Sequence, residues 1–330
     1  MRVDGLYVNA AKVLLPPGRE PAGRAVGRGL ITAEHAETFE IDELPVASPA
    51  ESSELLALAV AGSVLGEAAV RPEDVGFLVH ACVGDTSYEW KMAPRLARLL
   101  GADQAFALGL RQNCNGAGAA LHLAAAHLMT EPRTANSLIV TSDALGADWP
   151  RRWFLGYSDG ATALLLSRRP SPLALQAVTS GGRPANEAHF PAWNPFRPGM
   201  PAGPTDESAP QAGFLLRAAV RDAARAAVED AGHPRLRTVV LSRVRPAIAN
   251  VLVAGVRQAG IDAEPLNLAT RSGHLFAGDL TANLADLLCG PAALTPGEAA
   301  LIVSFTGDIG VTCAIVEARE SRTRPPGALR

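Results

Sequence analysis

Several segments of this 330-residue chain recur in the same order about 160 residues further on. Helix 54–70 and the strand 75–80 after it match helix 213–230 and strand 238–242. The turn at Cys114 matches the turn 271–279. Strand 137–143 matches strand 300–305, and strand 160–167 matches strand 310–316. A nearly constant spacing between several such pairs indicates an internal duplication. The chain is therefore predicted to contain two similarly folded halves, residues 1–170 and residues 171–330.

Each half alternates helices with strands, which is typical of an α/β fold. The runs 138–140 and 161–166 are almost entirely apolar, as expected for strands buried on both faces. Hydrophobic residues make up 48% of the chain and charged residues 19%, which is sufficient for large cores. Each half is expected to hold a mixed sheet covered by helices.

The turn that contains Cys114 has the composition of a reactive-thiol site. Residues 111–118 are mostly polar and include two glycines, and an Ala/Leu-rich helix is predicted over residues 119–129. A helix N-terminus stabilises a thiolate because its unpaired N–H groups and its dipole are positive. The alternative is a buried cysteine that packs as a small apolar side chain. The Asn-Cys-Asn-Gly setting favours Cys114 as a nucleophile.

His274 and Asp279 form a second polar group, at the place in the second half that corresponds to the Cys114 turn. Asp279 precedes a helix predicted over residues 280–288, where it would cap the helix or fix the tautomer of His274, as the third member of a catalytic triad does. We favour the second role because the histidine is expected to face Cys114 across a pseudo-twofold axis.

Two further positions are candidates for contact with a substrate. Gly307 interrupts a strand pattern, and it would serve a turn or donate its N–H to an oxyanion together with the N–H of Cys114. His189 lies in the segment 180–211, which is dense in Gly, Pro, Asn and aromatic residues. A loop of that length is often a lid, and His189 is retained as a substrate-contact candidate.

Charge and cysteine spacing argue against several classes of function. The net charge of −3 gives no basis for general binding to nucleic acid or to an anionic membrane, and no apolar run is long enough to span a bilayer. The four cysteines show no metal-binding or disulfide spacing, so neither a metal nor another cofactor is expected. The N-terminal sequence lacks the apolar core of a signal peptide, and a cytoplasmic protein is expected.

Together these features resemble a known family. The duplicated halves, the cysteine at the start of a buried helix, Asp159-Gly-Ala-Thr-Ala163 and Phe305-Thr-Gly307 resemble the thiolase superfamily. Within it, the chain is similar to ketoacyl-ACP synthase III along nearly its full length. The resemblance implies a duplicated thiolase fold with five αβαβα layers and a homodimer. It also implies acyl transfer from an acyl carrier protein or CoA thioester to Cys114, and then to an acceptor.

The chain departs from the condensing members of this family at two motifs. Ala247 stands where their His-Gln-Ala-Asn motif has histidine, and Gly273-His274 replaces their Gly-Asn motif. Those members use this His and Asn to stabilise an enolate during decarboxylative condensation. The pattern of Cys114, His274 and Asp279 instead resembles the ketosynthase-III-like acyltransferases of antibiotic pathways. Such enzymes acylate a hydroxyl or amine of a small-molecule acceptor, often a sugar or a polyketide-derived scaffold.

Two other functions remain possible at this point. One is a priming ketosynthase that selects a short acyl starter and condenses it with malonyl carrier protein. The other is an inactive partner that only recruits carrier protein. The joint presence of Cys114, His274 and Asp279 argues against the inactive partner.

Overall fold

The computed structural model describes residues 1–84, 91–146, 149, 152–189, 209–306 and 310–320. Ten of its strands form one mixed sheet, and two short strands form a separate sheet. The large sheet contains β1 (Arg2–Leu14), β4 (Val75–Ala81), β5 (Phe106–Leu110), β6 (Asn136–Asp143), β7 (Gly160–Ser167), β8 (Leu173–Gly181), β9 (Leu236–Leu241), β10 (Glu264–Leu266), β11 (Ala299–Thr306) and β12 (Gly310–Ala318). The small sheet pairs β2 (Arg19–Pro21) with β3 (Glu43–Pro45).

The strand order repeats about the middle of the large sheet. The order is β10-β9-β11-β12-β8-β1-β7-β6-β4-β5, so each half has the same arrangement of five strands. In each half the three outer strands are parallel to one another, and each of the two inner strands is antiparallel to its neighbours. The antiparallel pairing of β1 with β8 joins the halves into one continuous sheet, whereas the sequence had suggested a separate sheet in each half.

Nine helices are described: α1 (Ala22–Gly27), α2 (Ala33–Glu37), α3 (Ser53–Ala68), α4 (Met92–Leu100), α5 (Gly116–Thr130), α6 (Ala209–Asp230), α7 (Pro246–Gln258), α8 (Ala269–Ser272) and α9 (Asp279–Cys289). The predicted helices at 54–70, 119–129, 213–230 and 280–288 correspond to α3, α5, α6 and α9, with shifted ends. Of these ends, the start of α5 matters most, because the helix begins two residues after Cys114.

Helices α5 and α9 form the central layer of the molecule. Leu121 and Leu284, one from each helix, are fully buried in a core that also takes residues from both halves of the sheet. On the outer faces, α3 and α4 cover the first half and α6 and α7 cover the second. These layers make the predicted αβαβα arrangement. Each fully buried leucine contributes roughly 1.5–3 kcal/mol to folding, so the central helices are held firmly.

The site lies at the carboxyl ends of the parallel strands, where the N-termini of α5 and α9 meet. A Cβ atom added to Gly116, the first residue of α5, would lie 2.7 Å from the Cβ of Ala277, just before α9. Real side chains do not approach so closely, so this glycine allows the two helix starts to touch. The close approach brings the Cys114 turn beside the segment that carries His274 and Asp279.

The segment 180–211 is only partly the loop expected from the sequence. β8 continues to Gly181, a 3₁₀ turn covers Pro184–His189, and α6 begins at Ala209. Residues 190–208 lie outside the described residues, so the prediction of a lid is not tested. No helix in the described ranges has both the length and the apolar character of a membrane span.

Candidate active site

Cys114 lies in the middle of a 3₁₀ turn, Asn113–Asn115, between β5 and α5. The residue before it, Asn113, has a φ of +45°, in the left-handed region that asparagine tolerates better than most residues. This conformation turns the chain sharply from the strand into the helix. The thiol is 6% exposed, at the positive end of α5.

The structural counterpart of Cys114 in the second half is Ala277. The turn Phe276–Gly278 is also a 3₁₀ turn that leads directly into an inner helix, and Phe276, like Asn113, has a positive φ, of +51°. His274 was expected at this equivalent place, but it lies three residues earlier. The expected match was wrong because it aligned the two polar segments instead of the two turns.

Main-chain contacts from the first half fix the position of His274. The His274 N–H donates to the carbonyl of Gly156 at 2.8 Å, and the Ser158 N–H donates to the carbonyl of His274 at 2.9 Å. Gly273 makes this pairing possible, because it has a φ of +68° and a Cβ there would lie 2.7 Å from the Gly156 oxygen. The glycine at position 273 is thus a structural requirement of this junction.

Asp279, the first residue of α9, orients the imidazole. Its Oδ2 lies 2.6 Å from Nδ1 of His274. The same carboxylate accepts the N–H of Leu275 at 2.8 Å and the N–H of Arg243 at 2.7 Å. Asp279 therefore contacts the histidine and two main-chain N–H groups outside α9, but it does not cap that helix. The N-cap residue is Gly278, and no described side chain caps the helix start, so the helix-cap role considered from the sequence was wrong. With Nδ1 bound, Nε2 of His274 is the atom left for chemistry.

The electrostatic balance at His274 favours the protonated ring. Burial acts to lower its pKa, but the negative charges of Asp279 and Cys114 and the hydrogen bond to Asp279 outweigh burial and raise the pKa to about 10. Nε2 makes no hydrogen bond of normal geometry, so the sulfur acts mainly through its charge. The ring of His274 can therefore rest as an imidazolium beside the sulfur of Cys114.

An apolar wall surrounds the thiol. Cys114 belongs to a buried cluster with Tyr157, Phe276 and Ala277, against which Trp149 packs. The rings of Tyr157 and Phe276 are stacked, with their centroids 4.4 Å apart. The ring of Trp149 is tilted against that of Tyr157, with a distance of 5.3 Å between the centroids. The sequence analysis missed these aromatic residues, since they lie far from Cys114 along the chain. A low-polarity wall of this kind excludes water, which strengthens the interactions of the charged groups.

Two buried carboxylates hold the loops that bear this wall. Asp159 accepts the N–H groups of Leu145 and Gly146, both at 3.0 Å, and forms an ion pair with the fully buried Arg152 at 3.1 Å. At the end of β6, Asp143 accepts the N–H groups of Val83 and Gly84 at 2.9 Å and 2.6 Å. The Asp-Gly-Ala-Thr-Ala motif therefore has a structural part in the frame of the site.

The burial of Asp143 leaves one of its oxygens, Oδ2, without a hydrogen bond. Burial raises the pKa of this carboxyl to about 8, against the hydrogen bonds from Gly84 and Val83, and the charge of Asp159 adds to the rise. Asp143 is therefore largely neutral at pH 7.

The remaining candidate positions are not joined to this group. Gly307 lies outside the described residues, so its predicted oxyanion contact stays a prediction. His189 is half-buried at the end of its 3₁₀ turn, and in the described part of the chain no hydrogen bond or ring contact links it to Cys114 or His274. Ala247 is exposed in the first turn of α7. Within the described ranges, no cluster of three His, Cys, Asp or Glu residues has the arrangement of a metal site.

Sequence comparison links the chain to enzymes that make acyl chains. Residues 108–181 match the family model of 3-oxoacyl-[acyl-carrier-protein (ACP)] synthase III. The 3-oxopimeloyl-[acyl-carrier-protein] synthase of Rhodothermus marinus is 31% identical over 206 residues, which are 61% of this chain and 59% of that protein. The match thus spans less than two thirds of that relative.

Solved structures with the same fold cover almost the whole chain. The acyltransferase ChlB3 is 26% identical, with a TM-score of 0.79 over 95% of this chain and 98% of ChlB3. The priming β-ketosynthase of the R1128 polyketide pathway is 20% identical, with a TM-score of 0.75 over 96% of this chain and 97% of the ketosynthase chain. The synthase III of Aquifex aeolicus is 17% identical, with a TM-score of 0.77 over 94% and 99%. The last two show the fold alone.

Proposed function

We propose that this chain, a ketoacyl-ACP synthase III-like protein of the thiolase superfamily, is a non-decarboxylating acyltransferase that works through an acyl-enzyme on Cys114. The observation that carries the proposal is the buried contact of 2.6 Å between Asp279 and Nδ1 of His274. Among the described residues, Nε2 of the same ring has no hydrogen-bond partner, and the charge of Cys114 is one of the causes that raise the pKa of His274. The fold similarity to the acyltransferase ChlB3 supports it. The proposed donor is an acyl carrier protein or CoA thioester.

In the first half-reaction the Cys114 thiolate attacks the thioester carbonyl. The N–H groups of Cys114 and Gly307 are the proposed donors to the tetrahedral oxyanion. Collapse of the intermediate breaks the bond to the carrier sulfur, and the leaving thiolate takes the proton from the His274 imidazolium. The products are a thioester on Cys114, a neutral His274 and the free carrier thiol.

In the second half-reaction the neutral His274 acts as a general base. Acylation removes the negative charge of the sulfur, which is one of the charges that raise the pKa of His274. Asp279 still holds Nδ1, so Nε2 accepts the proton as the acceptor hydroxyl or amine attacks the thioester. Collapse releases the acylated acceptor and restores the thiolate–imidazolium pair. A hydroxyl acceptor needs this base, whereas a carbanion formed by decarboxylation does not.

The proposed acceptor is a small molecule of natural-product metabolism, of the sugar or polyketide type, acylated in the cytoplasm. The family resemblance supports this assignment, and the similarity to the acyltransferase ChlB3 supports the transfer step. Neither the acyl group nor the choice between a hydroxyl and an amine follows from the site.

We also propose that the chain forms a homodimer along β5. This strand ends the large sheet, and its sequence, FALGL, carries no charge although Phe106 is 61% exposed. The opposite edge strand, β10, carries Glu264 and Pro265. Charge and proline protect an edge from pairing, so of the two edge strands of the large sheet β5 is the one suited to pair with a second copy.

A priming ketosynthase is the second candidate, because the relative with 31% identity is a synthase. The exposed Ala247 argues against it, since no imidazole is present at that position to stabilise an enolate. Release of carbon dioxide from malonyl carrier protein distinguishes the two functions. Condensation at a rate comparable to acyl transfer would replace the acyltransferase proposal.

The acyl-enzyme is tested by intact-mass spectrometry after incubation with a panel of acyl-CoA and acyl carrier protein thioesters. We expect one added acyl mass per chain, lost in Cys114→Ala. Cys289→Ala is the matched control, because Cys289 is an exposed thiol and its loss should leave the acylation unchanged. Acylation at Cys82, Cys289 or Cys313 would refute the assignment. No acylation by any thioester of the panel would instead favour the inactive, carrier-recruiting protein.

A further inference from the structure

Arg243 is a buried cation two residues after the end of β9 that the proposed chemistry does not use. Its side chain is 2% exposed, and removing an arginine from water is costly unless every donor is paired. Burial lowers the pKa of Arg243, against the charges of Asp279 and Asp286. A guanidinium remains charged under ordinary conditions, so a fixed positive charge lies behind the site.

Each group of Arg243 is bonded to the segment that carries His274 and Asp279. The main-chain N–H donates to Oδ2 of Asp279 at 2.7 Å, the same oxygen that contacts His274. In the side chain, Nε donates to Oδ1 of Asn283 at 3.0 Å, and Nη2 pairs with Asp286. Asp279, Asn283 and Asp286 are spaced on one face of α9, so Arg243 fixes the rotation of that helix.

A fourth contact reaches the loop on the other side of the histidine. Nη1 of Arg243 donates to Oγ of Ser272 at 2.8 Å, and that hydroxyl donates to the carbonyl of Gly273 at 2.9 Å. One side chain therefore links the residues just before His274 with the helix that begins at Asp279. The distance between the imidazole and the carboxylate depends on both ends of this link.

We propose that Arg243 is a positioning residue, which holds the Asp279 carboxyl group against Nδ1 of His274 and keeps the His274 loop in register with α9. The catalytic meaning of this role rests on the proposed function. The charged groups involved are Cys114 at the start of α5, Asp279 and Asp286 on α9, and Arg271, whose Nε lies 3.4 Å from Asp286. Without the Arg243 side chain, Asp286 loses its buried partner, and the links from α9 to Ser272 that set the distance between Asp279 and His274 are broken.

The test is a titration of the His274 ring by NMR in the full-length protein without substrate. The protein is labelled with ¹³C-histidine, and the His274 signal among the seven histidines is assigned from His274→Gln. Arg243→Met removes the charge at similar length, and Arg243→Lys keeps the charge without the fork of donors. Arg237→Met is the matched control, because Arg237 lies in the same β9 and forms an exposed pair with Glu298.

Loss of the guanidinium charge by itself raises the midpoint of His274, so Arg243→Lys, which keeps the charge but loses the fork of donors, is the deciding variant. We expect its midpoint to fall, because the Asp279 carboxyl group is held less closely against Nδ1. The midpoint in Arg243→Met should lie above that of Arg243→Lys, and the midpoint in Arg237→Met should stay unchanged. An unchanged or raised midpoint in a folded Arg243→Lys would overturn the proposal. If Arg243→Lys does not fold, the titration is made on Ser272→Ala, which removes one link and no charge; a fall is expected there, and an unchanged midpoint overturns the proposal. The titration needs no acyl donor, so a failure of the proposed function is seen separately, as missing acylation of Cys114.

Discussion

At the scale of single residues, the proposed reaction makes two different demands on the contact between Asp279 and His274. In that proposal the imidazolium pairs with the thiolate before acylation, and the neutral ring serves as the base in the second step. The sequence predicted all three residues, because a turn before a helix and a histidine shortly before an aspartate are local patterns. Arg243 was missed, although a charged residue directly after the apolar strand 238–242 was a visible signal of a buried ion pair.

The change His274→Ala is expected to affect the second half-reaction most. The variant should still be acylated, though more slowly, and transfer to the acceptor should fall about 10²–10⁴-fold because the positioned base is lost. Asp279→Asn should disturb the fold less. Its rate of transfer to the acceptor should still fall by much of the same factor, since the tautomer of the His274 ring is no longer fixed. Single-turnover kinetics of each half-reaction is the measurement. Normal transfer from acylated His274→Ala would show that another group is the base.

The change Asp143→Asn is expected to alter the pH dependence of stability. The pKa of Asp143 is raised from 3.8 to about 8, so between these values the folded chain holds a proton that the unfolded chain has lost. This group therefore lowers the free energy of unfolding by about 1.4 kcal/mol per unit as pH rises from about 4 to about 8. Asparagine keeps the acceptor for Val83 and Gly84 but does not ionise.

Urea unfolding at several pH values measures this effect. We plot the free energy of unfolding against pH between about pH 5 and pH 8. The slope of this plot should be more positive in Asp143→Asn than in the unchanged protein, by about 1.4 kcal/mol per pH unit. Identical slopes in the two proteins would mean that Asp143 is ionised in the fold at neutral pH.

At the scale of elements, the site depends on two helix starts that touch. The sequence predicted α5 and α9 from their apolar residues, but it placed the start of α5 three residues late. Propensity favours Ala119 over the glycines before it, and only the contact between Gly116 and Ala277 explains why the helix begins earlier. The same lack of long-range information led to His274 being matched with Cys114, because φ angles are not visible in a sequence.

Two glycine-to-alanine changes in helices distinguish the effect of this contact on stability from the effect of helix propensity. Gly62, inside α3, has no atom within 4 Å of an added Cβ, so Gly62→Ala should stabilise the protein by roughly 0.5–1 kcal/mol. Gly116→Ala should destabilise it by about 1–3 kcal/mol, because the new methyl group meets Ala277. It should also slow the acylation of Cys114. Chemical denaturation and the mass assay measure both effects, and equal stabilisation by the two changes would contradict the close approach.

At the scale of the whole molecule, the duplication was readable from the spacing of motifs, but the joining of the halves was not. Pairing of β1 with β8, for example Tyr7 opposite Ala174, links strands that lie far apart in the chain. Alternating apolar residues indicate which face of a strand is buried, but they do not say which strand lies beside it. The exposed edge at β5 is likewise a property of the assembled sheet.

The proposed dimer predicts that Phe106→Glu yields a monomer in analytical ultracentrifugation, because a charge on β5 opposes pairing of the edge with a second copy. Phe214→Glu is the matched control, since Phe214 is 55% exposed on α6, away from this edge, and the dimer should persist. A dimer that survives Phe106→Glu would place the interface on another surface, and a monomeric unchanged protein would remove the dimer proposal altogether.

The pairing of β1 with β8 also has a consequence for co-translational folding on the ribosome. At about 5–20 residues per second, roughly ten to thirty seconds pass between the emergence of β1 and that of β8. For most of this interval β1 has no neighbour on either side, because β7 emerges only shortly before β8, and the Cys114 turn lacks the half that supplies His274. A nascent chain with an open apolar strand edge is prone to misassociation, so this protein is expected to need chaperone protection before its thiol can become reactive.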